Sequence, residues 1–437
     1  MIRSVTANLL NWKNSSSRKV MLLRGARQVG KTYSVRELGK TFTFFLEANF
    51  EKDREIHQFF SGSLDPNMIC QKISAYYSIP IIPGKTLIFF DEIQACPEAI
   101  SSLRFFYENV PDIHVIAAGS LLEFALENIP SYGVGRIQHL FMYPLSFDEF
   151  LLANNEKGLL GEKGQASPTT PLEKPFHDKL LDYLKIYYLF GGMPEVVSEY
   201  VTTKNILNCQ KILDNLIESL KDDFAKYRKR SLVQRLREVF LSITVQAGSK
   251  FMFSNIDSDS RHGSLKEALD ILVQAGLAFK VFHSSSRGIP LGAQVKHKRF
   301  KVILFDIGMH QRILGADASG ILTANNVEMI NKGSVAELFT GLEIIKYSPS
   351  DLRAEIYYWH REKRGSTAEV DYLVQKNGAI IPVEVKAGTR GKMQSMRIFM
   401  EERKLESGIR ISLEPFSSYG NIDVVPLYAI SNIIKER

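Results

Sequence analysis

Through residue 150, short and nearly unbroken apolar runs alternate with amphipathic stretches. Lys19–Arg24 (KVMLLR), Thr43–Leu46, Thr86–Phe90 (TLIFF) and Ile113–Ala118 (IHVIAA) lack the in–out alternation of a half-exposed strand. Such runs read as strands buried on both faces, the pattern of a parallel sheet. Helical spacing fills the intervals, as in Ala99–Val110, and the βαβ order predicts an α/β fold. Residues Asn154–Pro175 are polar and rich in Gly and Pro and read as a linker or long loop. Helical pattern resumes at Phe176 and breaks at Gly191–Glu195 (GGMPE). Leu232, Val233, Leu236, Val239, Phe240 and Ile243 lie at helical spacing. Ser264–Ala275 opens on a Ser with Glu267 three residues on, a capping-box pattern. The stretch up to Asp306 reads as a β-hairpin. From Asn331 the order is helix, three strands, helix, and no internal repeat is evident.

The 437 residues are 45% apolar and 24% charged, which excludes wholesale disorder and fibrous character. The net charge of +7 permits nucleic-acid binding without requiring it. The three cysteines form no CxxC pair, so neither a disulfide framework nor a cysteine zinc site is expected. No apolar run approaches the ~18 residues of a membrane span. The first residues show no secretory signal. A cytoplasmic protein without membrane contact is the expectation.

Gly25, Ala26, Arg27, Gln28, Val29, Gly30, Lys31 and Thr32 match GxxxxGK[ST], after a buried strand and at a helix start that continues into Tyr33. Glycines let backbone amides curl round phosphates, Lys31 reaches the β and γ oxygens, and the Thr32 hydroxyl ligates Mg²⁺. Asp91 and Glu92 end the TLIFF strand. Asp91 suits the Mg²⁺ shell, and Glu92 suits the orientation or deprotonation of an attacking water. Ser120, after IHVIAAG, fits either a γ-phosphate contact or a helix N-cap. Arg136 fits either a finger reaching a neighbouring subunit's nucleotide or an ordinary surface arginine.

LLRGARQVGKT, FFDEIQ, AAGSLLE and GRIQHLFMYPLSFDEFL resemble the predicted AAA+ superfamily ATPases of bacteria and archaea, in which an ATPase module precedes a C-terminal domain of unknown function. The resemblance covers nearly the whole chain. It implies a five-stranded parallel sheet, a helical lid, and ATP rather than GTP. YYLFGGMPEV is similar to the GxP motif of STAND-type ATPases. That likeness carries Gly191, Gly192 and Pro194 over as adenine-side positions, while a plain helix break holds in either case. The expected segments are residues 1–155 as the ATPase domain and 156–225 as linker and lid. Residues 226–310 are expected as a winged-helix-like domain and 311–437 as an α/β nuclease-like domain. Basic clusters at Lys226, Arg228, Lys229 and Arg230, and at Lys296, Lys298, Arg299 and Lys301 on the wing side, fit phosphate neutralisation. They equally fit solvated faces of a packing module.

A second constellation lies in the C-terminal segment. Asn377-Gly378 marks a two-residue hairpin turn, and pairing across it sets Asp371 opposite Glu384, with Lys386 two residues on along the same face. Facing carboxylates repel unless a cation such as Mg²⁺ or Mn²⁺ joins them. Glu337 arrives on a helix whose apolar face is Val335, Leu338, Phe339, Leu342 and Ile345, in a stripe with Ser334 and Gly341. The set resembles the PD-(D/E)xK nuclease core, in which Glu337, Asp371 and Glu384 hold metal and Lys386 orients or activates water. The expected activity is an ATPase coupling nucleotide state to a metal-dependent nuclease-like domain on DNA, in a possible homo-oligomer. The alternative is a non-nucleolytic switch that binds DNA or a protein.

Overall fold

A computed structural model describes residues 1–119, 122, 126, 133, 135–226, 230–258, 260–316, 333–363, 365–389 and 391–435. The chain folds as two compact units. One comprises Ile2–Tyr143 with Pro349–Arg353, and the other comprises Pro144–Ser348 with Ala354–Arg437.

The first unit is built on β1 (Val20–Arg24), β2 (Phe44–Asn49), β3 (Thr86–Asp91), β4 (His114–Ala118) and β5 (Ile137–Phe141). They form a five-stranded sheet in the order β2-β3-β4-β1-β5 with every pairing parallel. The runs of β3 and β4 are buried on both faces as expected, every residue of both strands being buried, whereas Thr43–Leu46 leads into the edge strand β2 and is only partly buried. Phe50, Phe60, Phe90 and Phe106 meet edge-to-face in the core on one side of the sheet. Helix Lys31–Gly39 follows β1, and helix Pro97–Asn109 follows β3. The crossing into β4 at the sheet centre leaves the C-terminal ends of β1 and β3 facing the same edge. Ligands of open α/β sheets bind there. The short segment Pro349–Arg353 returns to this unit, where the Phe141 amide donates to the Ser350 carbonyl at 2.7 Å.

The second unit begins with helices Phe147–Ala153, Lys157–Gln165, Lys174–Phe190, Pro194–Thr203 and Ile206–Asp223. The stretch expected as a linker therefore contains a helix. Tertiary contacts override its weak local pattern: Lys163 is 1% exposed and its ammonium lies 2.8 Å from Asp148.

Helices Arg230–Val245 and His262–Gln274 precede β6 (Ala278–Ser284) and β7 (Val295–Leu304). This hairpin is not a free wing. β6 pairs in parallel with β8 (Ile356–His360), which continues into β9 (Glu369–Lys376) and β10 (Ala379–Val385). The complete eight-stranded sheet runs β12-β13-β11-β10-β9-β8-β6-β7, with β11 at Gly408–Ser412, β12 at Ser417–Tyr419 and β13 at Ile422–Pro426. The segments expected to part at residue 310 share one sheet, because a parallel pairing between distant strands overrides the local hairpin signal. Across the β9–β10 hairpin, Lys376 pairs with Ala379 and Tyr372 with Val383, the register expected from Asn377-Gly378.

Candidate functional site

The nucleotide site of the first unit is made by the backbone. Gly25 has φ 142°, and a Cβ there would stand 2.1 Å from the Met142 carbonyl oxygen, so only glycine lets β1 turn this closely. Gln28 and Gly30 also have positive φ, 62° and 97°, and close the loop onto the helix that starts at Lys31. Val29 and Ala26 are buried beneath the loop, Arg27 is half-buried, and Tyr33 is exposed. The Lys31 ammonium folds back and donates to the carbonyls of Gly25 at 2.9 Å and Ala26 at 2.8 Å. It is buried, and desolvation pushes its pKa down to about 8 despite the nearby charges of Glu92 and Asp91.

The Thr32 hydroxyl donates to Asp91 Oδ2 at 3.2 Å, so the two expected Mg²⁺ neighbours converge. Burial, then the adjacent Glu92 charge, pushes Asp91 up to about 6. A buried carboxylate whose charge is disfavoured, with a hydroxyl beside it, fits a hard divalent cation at that point. Glu92 sits in the left-handed region at φ 50°, a strained conformation for a residue with a Cβ. Gln94 Nε2 donates to Glu92 Oε2 at 2.7 Å, and Asn49 Nδ2 lies 3.4 Å from Asp91 Oδ2. Neither Gln94 nor Asn49 was among the expected site residues. Asn49 could have been found from the register, since it pairs with Asp91 across β2 and β3. Ser120 lies outside the described residues. Arg136 bonds Glu108 within its own chain.

Gly192 and Pro194 belong to the second unit. There the Gly192 amide donates to Asp306 at 2.8 Å, its carbonyl accepts from Leu145 at 2.7 Å, and Pro194 starts a helix. A Cβ on Gly192 would stand 2.1 Å from the Leu145 carbonyl oxygen.

The second unit does bring the C-terminal set together. Asp371 Oδ2 accepts from the Val385 amide at 2.8 Å, just beyond the Tyr372–Val383 pair that ends the β9–β10 ladder. Glu384 Oε1 pairs with Lys386 at 2.6 Å, while its Oε2 accepts from the Met396 amide at 3.1 Å, at the start of helix Gln394–Arg403. Glu337 stands on helix Gly333–Tyr347, whose Gly341 lets the Tyr372 ring approach. Tyr372 donates to the Glu337 carbonyl at 2.8 Å.

The unexpected member is Lys301. Expected on an exposed basic wing, it is 1% exposed, and its ammonium stands 2.7 Å from Glu337 and 2.5 Å from Glu369. Burial opposes its charge, but Glu337, Glu369 and Asp371 outweigh that and hold its pKa above the ordinary lysine range. One ammonium cannot neutralise them all. Burial raises both Glu337 and Asp371 even after its attraction is counted. Two of the wing's other cations are also engaged, since Lys296 and Arg299 both pair with Glu362, while Lys298 is exposed. Arg228 and Lys229 lie outside the described residues. Among the described residues no group of three or more His, Cys, Asp or Glu is arranged to hold a metal ion, and no helix is long and apolar enough to cross a membrane.

Comparison with known proteins matches residues 17–151 to an AAA domain family. Residues 181–320 and 332–430 match two families, each described as a domain of unknown function (DUF8612 and DUF4143). No curated protein matches the chain. Among solved structures, a Walker-type ATPase of Pyrococcus abyssi is 14% identical, covering 72% of this chain and 95% of that one at a TM-score of 0.46. The Aeropyrum pernix ORC1 protein, solved in complex with DNA, is 13% identical, covering 72% of this chain and 93% of that one at a TM-score of 0.30. With its parallel strand order and phosphate-loop geometry, the matched N-terminal segment is an AAA-type ATPase module of the P-loop class.

Proposed function

We propose that this ATPase binds Mg²⁺-ATP on the Gly25–Tyr33 loop and uses nucleotide state to switch the second unit's binding of DNA or a protein partner. Lys31 contacts the β and γ phosphates, Thr32 and Asp91 hold Mg²⁺, and Glu92, steadied by Gln94, positions the attacking water. Arg136 exchanges Glu108 for the nucleotide of a neighbouring protomer in a homo-oligomer. The observation that carries this reading is the meeting of Lys31, Thr32, Asp91 and Glu92 at one sheet edge, with Thr32 and Asp91 already in contact.

The expected strand-cutting activity has the β9–β10 register in its favour. Against it, Glu337, Asp371 and Glu384 are already engaged with Lys301, a backbone amide and Lys386. The non-nucleolytic switch is therefore the reading we adopt. Its test is fluorescence anisotropy of labelled single- and double-stranded DNA with Glu92→Gln protein, which should trap ATP. Affinity differing several-fold between ATP and ADP supports a DNA partner. Equal, salt-insensitive and weak binding in both states refutes DNA and leaves a protein partner to be sought.

A further inference from the structure

The carboxylates of the second unit resemble a metal centre in sequence, yet the fold places a lysine among them. Lys301 comes from β7, at the far edge of the sheet. Its neighbour two residues on, Ile303, reaches the surface of helix Gly333–Tyr347 at Gly341, so this part of β7 points at the helix that carries Glu337. The Lys301 chain crosses the sheet face, passes the Tyr358 ring at 5.1 Å, and ends between Glu337 on the helix and Glu369 on β9. β6 and β8 lie between β7 and β9 in the sheet. The ammonium thus joins elements that no backbone pairing joins.

A divalent ion such as Mg²⁺ needs several oxygens at roughly 2.0–2.1 Å in octahedral array. Glu337 and Glu369 already direct an oxygen at the Lys301 ammonium. Asp371 Oδ2 is turned to the Val385 amide, and both oxygens of Glu384 are taken. A metal would have to displace the buried Lys301 ammonium from Glu337 and Glu369 before any of these oxygens could gather round it. The residues present do not fit the metal that their sequence pattern implies.

We infer that the Lys301 ammonium is the resident cation of this carboxylate cluster, standing where a divalent metal would otherwise sit and clamping the β6–β7 hairpin to Glu337 and Glu369. The unit is a metal-independent derivative of a nuclease-like site, and its conversion hinges on one side chain. This rests on the non-nucleolytic reading of the second unit and is independent of the ATPase assignment.

The test uses the full chain without nucleotide, titrated with Mn²⁺ and followed by electron paramagnetic resonance and by thermal midpoint. Wild type should show no Mn²⁺ response that Glu337→Gln or Asp371→Asn removes. Lys301→Met, which keeps the length and loses the charge, should gain a Mn²⁺ site and a midpoint rise of several degrees, both lost when Asp371→Asn is added. Lys301→Arg should remain without a site. A wild-type site that depends on Glu337 or Asp371 overturns the inference but leaves the switch standing, provided no DNA is cut. Mn²⁺-dependent DNA cleavage by wild type overturns both. A folded Lys301→Met that gains no site also overturns it. Should Lys301→Met fail to fold, the wild-type comparison with Glu337→Gln and Asp371→Asn still decides.

Discussion

Nucleotide binding should draw a proton from solution at alkaline pH, because Lys31 waits for its ligand in a poor state of solvation. The ammonium is buried and compensated by the Gly25 and Ala26 carbonyls, and its pKa falls from 10.5 to about 8. That depression corresponds to about 3 kcal/mol of disfavoured charge. The sign follows from linkage. The free folded protein releases this proton at lower pH than the unfolded chain does. Its own stability from this group therefore rises as pH climbs from about 8 towards 10.5. Phosphates of bound ATP restore the charge. Uptake should then be roughly 0.7 proton per nucleotide at pH 8.5 and roughly 0.1 at pH 7. Titration calorimetry of Glu92→Gln protein, in paired buffers of different ionisation heat, measures this directly. Asp91, pushed up to about 6, gives the opposite effect, proton release on Mg²⁺ binding, confined to more acid solution. Uptake that is equal at both pH values, or net release at pH 8.5, would refute the account of Lys31.

Glu92→Gln should leave ATP affinity within a few-fold of wild type and slow steady-state phosphate release by ~100-fold or more; an unchanged rate removes Glu92 from catalysis. Gly25→Ala must bring a methyl to 2.1 Å from the Met142 carbonyl oxygen at φ 142°. It should cost on the order of 2–4 kcal/mol in urea unfolding and abolish nucleotide binding. Arg136→Ala should be rescued by mixing with Lys31→Ala protein that keeps its arginine, and activity per protomer should rise with concentration; a rate indifferent to both assigns Arg136 only to its Glu108 pair.

What the sequence made legible was local. GARQVGKT, the Asp91-Glu92 strand end and the Asn377-Gly378 turn each carry their geometry within a few residues, and the structure reproduces that geometry. Lys301 was misread because its burial depends on Glu337 and Glu369, distant in sequence, and because a charged residue in a basic run reads as solvated. The parallel pairing of β6 with β8 is equally non-local, so the hairpin looked like a wing. Helix Lys157–Gln165 was hidden for a related reason, since Lys163 is fixed by Asp148 rather than by any apolar stripe.

The shared eight-stranded sheet has a consequence for synthesis on the ribosome. The hairpin Ala278–Leu304 leaves the exit tunnel well before Ile356–His360, its parallel neighbour, has been translated. During that interval β6 presents an unpaired edge, and Lys301 has neither Glu337 nor Glu369 to meet. On β7 beside that edge, the unneutralised Lys301 charge keeps the hairpin hydrated and discourages association with other chains. It becomes an internal clamp only when the acidic partners arrive. A truncated product ending near residue 310 would keep the open edge, and one starting at 311 would keep the acids without their cation. Neither half keeps both members of the clamp, so the hairpin and the C-terminal strands complete the cluster only together.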